Sequence, residues 1–306
     1  MKRDAQSLSI CVPGNRCINQ CKFCVVGMHP SGQYENKMDV SLPCYNSSLE
    51  KYIQRLIFAK ENDANIMMLT GEIEPLQNRN FLATLAMINK DVLPNRGCAP
   101  FTCIEIQSSA VGFDENYAEF LRNCVGVSVF SFSISSFDDE RNAEIVGMPR
   151  KKKIKISDVC EIAKKYDFTL RLSLNMSVDM LKSVSNDISN YSEVIPAIFE
   201  KGKSLGADQM TFRKLYSSGD NIQSRWIEAN KVDDKFFQKL NEYIKQTGKL
   251  IGVLPYGLEQ YSVDGISVVV DEDCMNENKP KNVSKYFVIR PNCKIYAGWN
   301  IEDLIF

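Results

Sequence analysis

Short apolar runs alternate with segments of helical period along most of the chain, the order that builds a parallel sheet covered by helices. The runs are LSICVP (8–13), NIMMLTG (65–71), FTCIEIQS (101–108), GVSVFSFSIS (126–135), FTLRLSLNM (168–176) and DQMTFRKLY (208–216). Helical periodicity follows them at 47–63, 79–90, 114–123, 156–166, 188–205 and 232–247. An eight-unit barrel fills about 250 residues or more. Six units therefore predict an α/β fold with an open, partial barrel, (βα)6, over residues 1–248. Residues 249–306 read differently. LIGVLPYG, YSVDGISVVVDED and YFVIRPNCKIYAGW are strand-like pieces around VDG and RPNC turns. They predict a β-rich cap at the edge or mouth of the barrel, part of the same structural unit.

Two runs depart from the apolar-on-both-faces pattern of a buried parallel strand. Ser131, Ser133 and Ser135 alternate with Phe130, Phe132 and Ile134; Arg171, Ser173 and Asn175 alternate with Leu170, Leu172 and Leu174. Period two puts each polar set on one face, which then lines a wet cavity or packs on loops. Glu105 and Gln107 on the third run, and Arg213 and Tyr216 on the sixth, extend the polar set. Buried polar groups need a partner, a ligand or water, so substrate contact and internal pairing are both open for Gln107 and Arg213. In the cap, Tyr296, Trp299 and Asn300 either close over a substrate or pack in the core.

Composition narrows the chemistry. The 306 residues are 44% hydrophobic and 25% charged, with net charge −1, which excludes a chain-wide electrostatic nucleic-acid binder. No apolar run approaches the roughly 20 residues that span a bilayer, and MKRDAQSLSICV lacks the pattern of a secretory signal. Eleven Cys without such a signal read as reduced thiols in a cytoplasmic setting. The single His, His29, leaves little room for imidazole catalysis or His-rich metal sites. Sulfur is the better anchor for chemistry.

Cys17, Cys21 and Cys24 stand in CINQCKFC, a C-x3-C-x2-C spacing directly after the first strand. Four-iron clusters ordinarily take four Cys, so three thiolates on one loop leave an iron open. The competing reading is zinc: Cys21, Cys24 and His29 match three knuckle ligands, but the fourth position falls on Tyr34, and Cys11 lies inside the first strand.

With Phe23 before the last Cys, CINQCKFC resembles the signature of radical S-adenosylmethionine (SAM) enzymes. The resemblance implies a partial TIM barrel, a [4Fe–4S] cluster on Cys17, Cys21 and Cys24, and SAM chelated to the open iron. LTGEIEPL (69–76) is similar to the family's Gly-Gly-Glu-Pro stretch, with Ile73 where a second glycine is common. The resemblance thereby assigns cofactor contacts to Phe23, Thr70, Gly71, Glu72, Glu74, Ser133, Ser135, Arg171 and Asn175. It leaves Glu105, Gln107, Arg213, Tyr216 and Trp299 for substrate. Flavodoxin or ferredoxin is the implied electron donor. Cys98, Cys103, Cys274 and Cys293 form no close set of the kind that holds an auxiliary cluster. From CINQCKFCVVG through TFRKLYSSGDN to VIRPNCKIYAGWN, the layout looks like that of queuine lyases, which release preQ1 from a 7-deazaguanine base. Two alternatives remain. A tRNA- or peptide-modifying radical SAM enzyme would use the basic run RKKKIK (150–155), otherwise a solvated loop. A zinc-binding module would have no catalysis.

Overall fold

The computed structural model describes residues 4–28, 42–254, 257–273, 283–299 and 301–306. All six expected strands form: β1 (Asp4–Cys11), β2 (Ile66–Thr70), β3 (Cys103–Ser108), β4 (Val129–Ile134), β5 (Thr169–Met176) and β6 (Gln209–Lys214). They pair in parallel, each with its neighbour in sequence. Helices Leu42–Glu61, Arg79–Met87, Glu115–Glu119, Ile156–Lys165, Tyr191–Ser204 and Asp234–Thr247 cover the outer face. Phe130, Phe132, Ile134, Leu170, Leu172 and Leu174 point to that face and are fully buried. No helix among the described residues is long and apolar enough to cross a membrane.

Residues beyond 248 form β7 (Lys249–Val253), β8 (Glu259–Val263), β9 (Ile266–Asp271), β10 (Val283–Ile289) and β11 (Ile295–Tyr296). The VDG turn joins β8 to β9, with φ of 48° at Asp264 and 85° at Gly265, the left-handed pair of a tight hairpin. These strands extend the sheet at both ends. β9 pairs in parallel with β6, and β10 in parallel with β1. The order β11-β10-β1-β2-β3-β4-β5-β6-β9-β8-β7 thus contains eight successive parallel strands, from β10 to β9. Its two parallel ends approach each other: Lys285 Nζ on β10 lies 2.9 Å from Asp271 of β9. Among the described residues, side chains and not a backbone ladder bridge this seam.

Strand stagger arranges the inner positions in rows, as layers fill a barrel. Gln107, Ser131, Arg171, Gln209 and Ser267 form one row in register. Ser133, Ser173, Thr211 and Val269 form the next, and Asn175, Arg213 and Asp271 a third. The period-two stripes therefore line the lumen.

Candidate functional site

The three thiols sit on the loop that leaves β1, and three neighbours hold that loop. On one side Gln77 accepts a bond from Ile18 N (2.7 Å) and donates to Arg16 O (3.1 Å), while Asn78 donates to Pro13 O (2.8 Å). On the other, Gln20 N donates to Val146 O (3.2 Å), Lys22 N to Ile145 O (2.9 Å), and Lys22 Nζ pairs with Glu144 (2.7 Å). Helix Asp139–Val146 supplies these partners and ends at Gly147, whose φ is +65°. A Cβ at Gly147 would lie 2.5 Å from Gln20 O, so the loop packs where only glycine fits. The third neighbour is helix Ile222–Asn230, whose Trp226 ring lies 6.3 Å from Phe23. Both helices are absent from the sequence reading. Their signals were the Asp138 and Asn221 caps and the terminal glycine.

Cys17, Cys21 and Cys24 are half-buried and line one cavity of about 270 Å³. Burial first, then the adjacent Cys24 and Cys17, pushes the Cys21 thiol up; burial likewise raises Cys17. Thiols that oppose each other's ionisation are stabilised together by a bound cation. No fourth Cys lines this cavity among the described residues. Cys11 is buried in β1 against Tyr286, Val288 and Tyr296. Nor does any group of three His, Cys, Asp or Glu gather around one metal-ion position among the described residues. A single zinc needs its ligands within about 2.0–2.3 Å of one point. A cubane, taking one thiolate per iron, fits this donor set better. His29 and Tyr34 lie outside the described residues.

The opposite wall is the end of β2. Gly71 has φ +150°, and a Cβ there would meet Val12 N at 2.8 Å. Val12 N also donates to Thr70 O at 2.8 Å. Ile73, standing where the family motif commonly has glycine, packs on Gly14; a Cβ at Gly14 would lie 2.2 Å from Ile73 Cδ1. A glycine 59 residues earlier thus makes room for the substitution. Glu74 is buried, and its carboxylate accepts from Ser108 Oγ (2.6 Å), Ser109 N (2.9 Å), Ser109 Oγ (2.6 Å) and Leu76 N (3.3 Å). Burial raises its pKa. Its carboxylate braces the loop against the end of β3, which leaves Thr70, Gly71 and Glu72 to face a ligand.

On the strand side, Asn175 donates to Ser133 Oγ (3.0 Å) and Ser135 Oγ (3.2 Å). Asn175 and Ser133 line the cysteine cavity with Tyr216; Ser135 stands behind Asn175. Ser131 Oγ is fully buried on the same wall and has no partner among the described residues. Arg171 lies two rows below Asn175 and lines the inner lumen instead of the cysteine cavity, where it forms an ion pair with buried Glu105. Its Nε also donates to Gln209 Oε1 (2.7 Å). Gln107 donates to Glu105 at 3.0 Å, so internal pairing takes up Glu105 and Arg171.

These deeper groups belong to a second cavity of about 350 Å³. It meets the cysteine cavity at Val25, Val26, Thr70, Gly71, Gln107 and Arg213, all of which line both. Glu72 lies at the same junction. Arg213 Nε is buried there without a partner among the described residues. Trp299 lines the inner cavity, edge-on to Tyr286 at 5.9 Å. Tyr296 packs with Cys11 instead, and Asn300 lies outside the described residues. The inner wall also carries Gln209, Gln260, Asp271 and Lys285, which the strand pattern alone did not single out. In RKKKIK, Arg150–Lys152 form an exposed turn, and Lys153 pairs with Glu140. Cys98 donates to Ala99 O (3.7 Å), Cys103 contacts Ser128 Oγ (3.9 Å), and Cys293 is buried; Cys274 lies outside the described residues.

A family model described as Radical SAM superfamily matches residues 11–179. No curated protein matches the chain. Among solved structures, the radical SAM methyltransferase TsrM from Kitasatospora setae, with cobalamin and a [4Fe–4S] cluster bound, is 14% identical with a TM-score of 0.43. The match covers 67% of this chain and 36% of that one. The same enzyme with tryptophan substrate and the SAM analogue aza-SAM gives 14% identity and a TM-score of 0.44, over 85% and 42% of the two chains. The chain therefore spans less than half the length of either solved chain.

Proposed function

The chain belongs to the radical SAM superfamily, and on that premise we propose that Cys17, Cys21 and Cys24 hold three irons of a [4Fe–4S] cluster, the fourth being left to SAM. When bound, this pair supplies one-electron cleavage of SAM to a 5′-deoxyadenosyl radical that abstracts hydrogen from a substrate. Backbone at Thr70, Gly71 and Glu72 holds the methionine end of SAM, Gly71 permitting close approach. The Asn175–Ser133 pair and the unpartnered Ser131 hydroxyl supply polar contacts on the strand side. Phe23, backed by Trp226, shields the loop from water. Flavodoxin or a ferredoxin would deliver the electron.

The inner cavity is the substrate chamber in this reading. The observation that carries it is the shared junction at Thr70, Gly71 and Arg213, through which a molecule in the lumen presents an atom to the SAM site. A volume of about 350 Å³ suits a small molecule. Gln209, Gln260, Asp271, Lys285 and Trp299 all lie beyond the family-matched segment, where chain-specific selection is expected. We take the substrate to be queuine and the reaction a lyase that releases preQ1. The amides in the chamber and the layout of the sequence motifs favour this reading.

Anaerobic reconstitution tests both levels. The expected result is bound iron and sulfide, 5′-deoxyadenosine formed on reduction, and queuine-dependent preQ1. Cys17→Ala, Cys21→Ala or Cys24→Ala should each deplete iron and abolish SAM cleavage. Stoichiometric zinc without iron would overturn the cluster assignment. SAM cleavage indifferent to queuine, with no preQ1, would remove the substrate and spare the rest.

A further inference from the structure

The inner chamber carries more information about its ligand than volume alone. Among the described residues its deep wall carries four charged side chains, and they are matched in two pairs. Glu105 joins Arg171, their side chains being 3% and 25% exposed, and Asp271 joins Lys285, at 12% and 11%. The remaining charges on the wall, Arg213 and Glu72, stand at the junction with the cysteine cavity. A ligand with net charge in the deep part would draw one member away from its partner and leave the other buried without compensation, a strongly unfavourable outcome. An uncharged ligand leaves both pairs intact.

Hydrogen-bonding capacity defines the ligand further. Lys285 directs N–H groups to both Asp271 oxygens (2.9 Å each) and to Asp273 O (3.3 Å). Each Asp271 oxygen keeps lone-pair capacity beyond that bond. Gln107 uses its amide N–H on Glu105 (3.0 Å) and Met68 Sδ (3.8 Å), leaving its carbonyl to accept. Gln209 uses its carbonyl on Arg171 Nε (2.7 Å), leaving its NH2 to donate. Gln107 and Gln209 lie in one row with Ser131 and Arg171 between them, so the acceptor and the donor face the same lumen. The chamber offers acceptors at Gln107 and Asp271 and a donor at Gln209. Met68 and Trp299 add apolar surface.

We propose that the deep chamber recognises an uncharged heterocycle whose edge carries N–H donors beside a carbonyl acceptor, with Gln107, Gln209 and Asp271 as the selecting residues. This inference rests on the chamber being the substrate site. It assigns recognition to two residues, Gln209 and Asp271, that the family motifs do not reach, and it makes Glu105 and Arg171 a positioning pair behind the amides.

Titration calorimetry on the full-length, cluster-reconstituted protein tests it with three compounds. They are 7-deazaguanine, its analogue lacking the exocyclic amine, and its 7-carboxylate. The neutral parent should bind, with each analogue weaker by about tenfold or more, the scale of one lost hydrogen bond. Gln209→Leu and Gln107→Leu should each weaken the parent by about tenfold while the thermal unfolding midpoint shows that the fold is retained. Tighter binding of the carboxylate, no binding of any of the three, or unchanged affinity in both folded variants would overturn the proposal. Queuine-dependent 5′-deoxyadenosine formation is read separately. Turnover with unaffected chamber variants removes this inference alone. Selective binding of 7-deazaguanine without turnover of queuine removes the lyase reading alone.

Discussion

Gly147→Ala tests whether the cysteine loop is positioned by the helix end behind it. An alanine methyl at Gly147 would sit 2.5 Å from Gln20 O and 2.8 Å from Gln20 C, whereas ordinary contact begins at 3.4 Å. Either the helix end or the loop must therefore give by about 0.9 Å. The backbone adds its own penalty, since φ is +65° and a left-handed conformation costs an L residue about 1–2 kcal/mol. Gly97→Ala isolates that part: φ is +73° there, and nothing lies within 4 Å of the added methyl. Urea unfolding should show a loss of about 1–2 kcal/mol in both variants, with a further loss of about 1–3 kcal/mol from overpacking only in Gly147→Ala. Because Gln20 precedes Cys21, the displacement passes directly to a proposed iron ligand. Misplacement near 1 Å at a reacting centre costs on the order of 10²-fold in rate. Iron content after anaerobic reconstitution and the initial rate of 5′-deoxyadenosine formation are the assays. Gly97→Ala should match the parent protein in both, while Gly147→Ala should fall in both. Equal iron content and equal rate in the two variants would refute the argument.

Two further outcomes follow from burial. Lys285→Met should cost about 3–5 kcal/mol in urea unfolding, because it strands Asp271 at the seam. Adding Asp271→Leu should recover much of that loss, and a double variant no more stable than Lys285→Met would sink the coupling. Burial pushes the Cys11 and Cys160 thiols up to about 12, helped by Glu72 and Glu161 respectively, while Cys124 is exposed. Iodoacetamide at pH 8 should therefore label Cys124 in the native protein and spare Cys11 and Cys160; labelling of all three at one rate, read by mass spectrometry, would contradict it.

What was legible beforehand followed local rules. Period-two alternation on β4 and β5 placed Ser131, Ser133, Arg171 and Asn175 on the inner face, because successive side chains of a strand must point oppositely. The expected helix at 156–166 appears as Ile156–Lys165 and that at 232–247 as Asp234–Thr247, since an apolar stripe of period 3.6 is itself a local signal. Helix Asp139–Val146 was missed although Asp138 and Gly147 mark its ends. It is only 8 residues long, too short for periodicity to stand out from its polar sequence. The family resemblance assigned Arg171 to SAM together with Asn175 on the same strand. Four positions along a strand separate them by about 13 Å, enough to place them in different cavities.

The sequence by itself determined the alternation of strands and helices, the three thiols on one loop after β1, and the polar stripes of the lumen. Each depends on neighbours within a few residues. Only the tertiary structure decided that β9 and β10 flank the six-unit core on opposite sides and meet through Asp271 and Lys285. The same holds for the Glu105–Arg171 pair, 66 residues apart, and for Gly14 making room for Ile73. Such pairings depend on strand order and register, which follow from packing the whole sheet at once. A residue type at one position carries no record of the distant neighbour that register will bring to it.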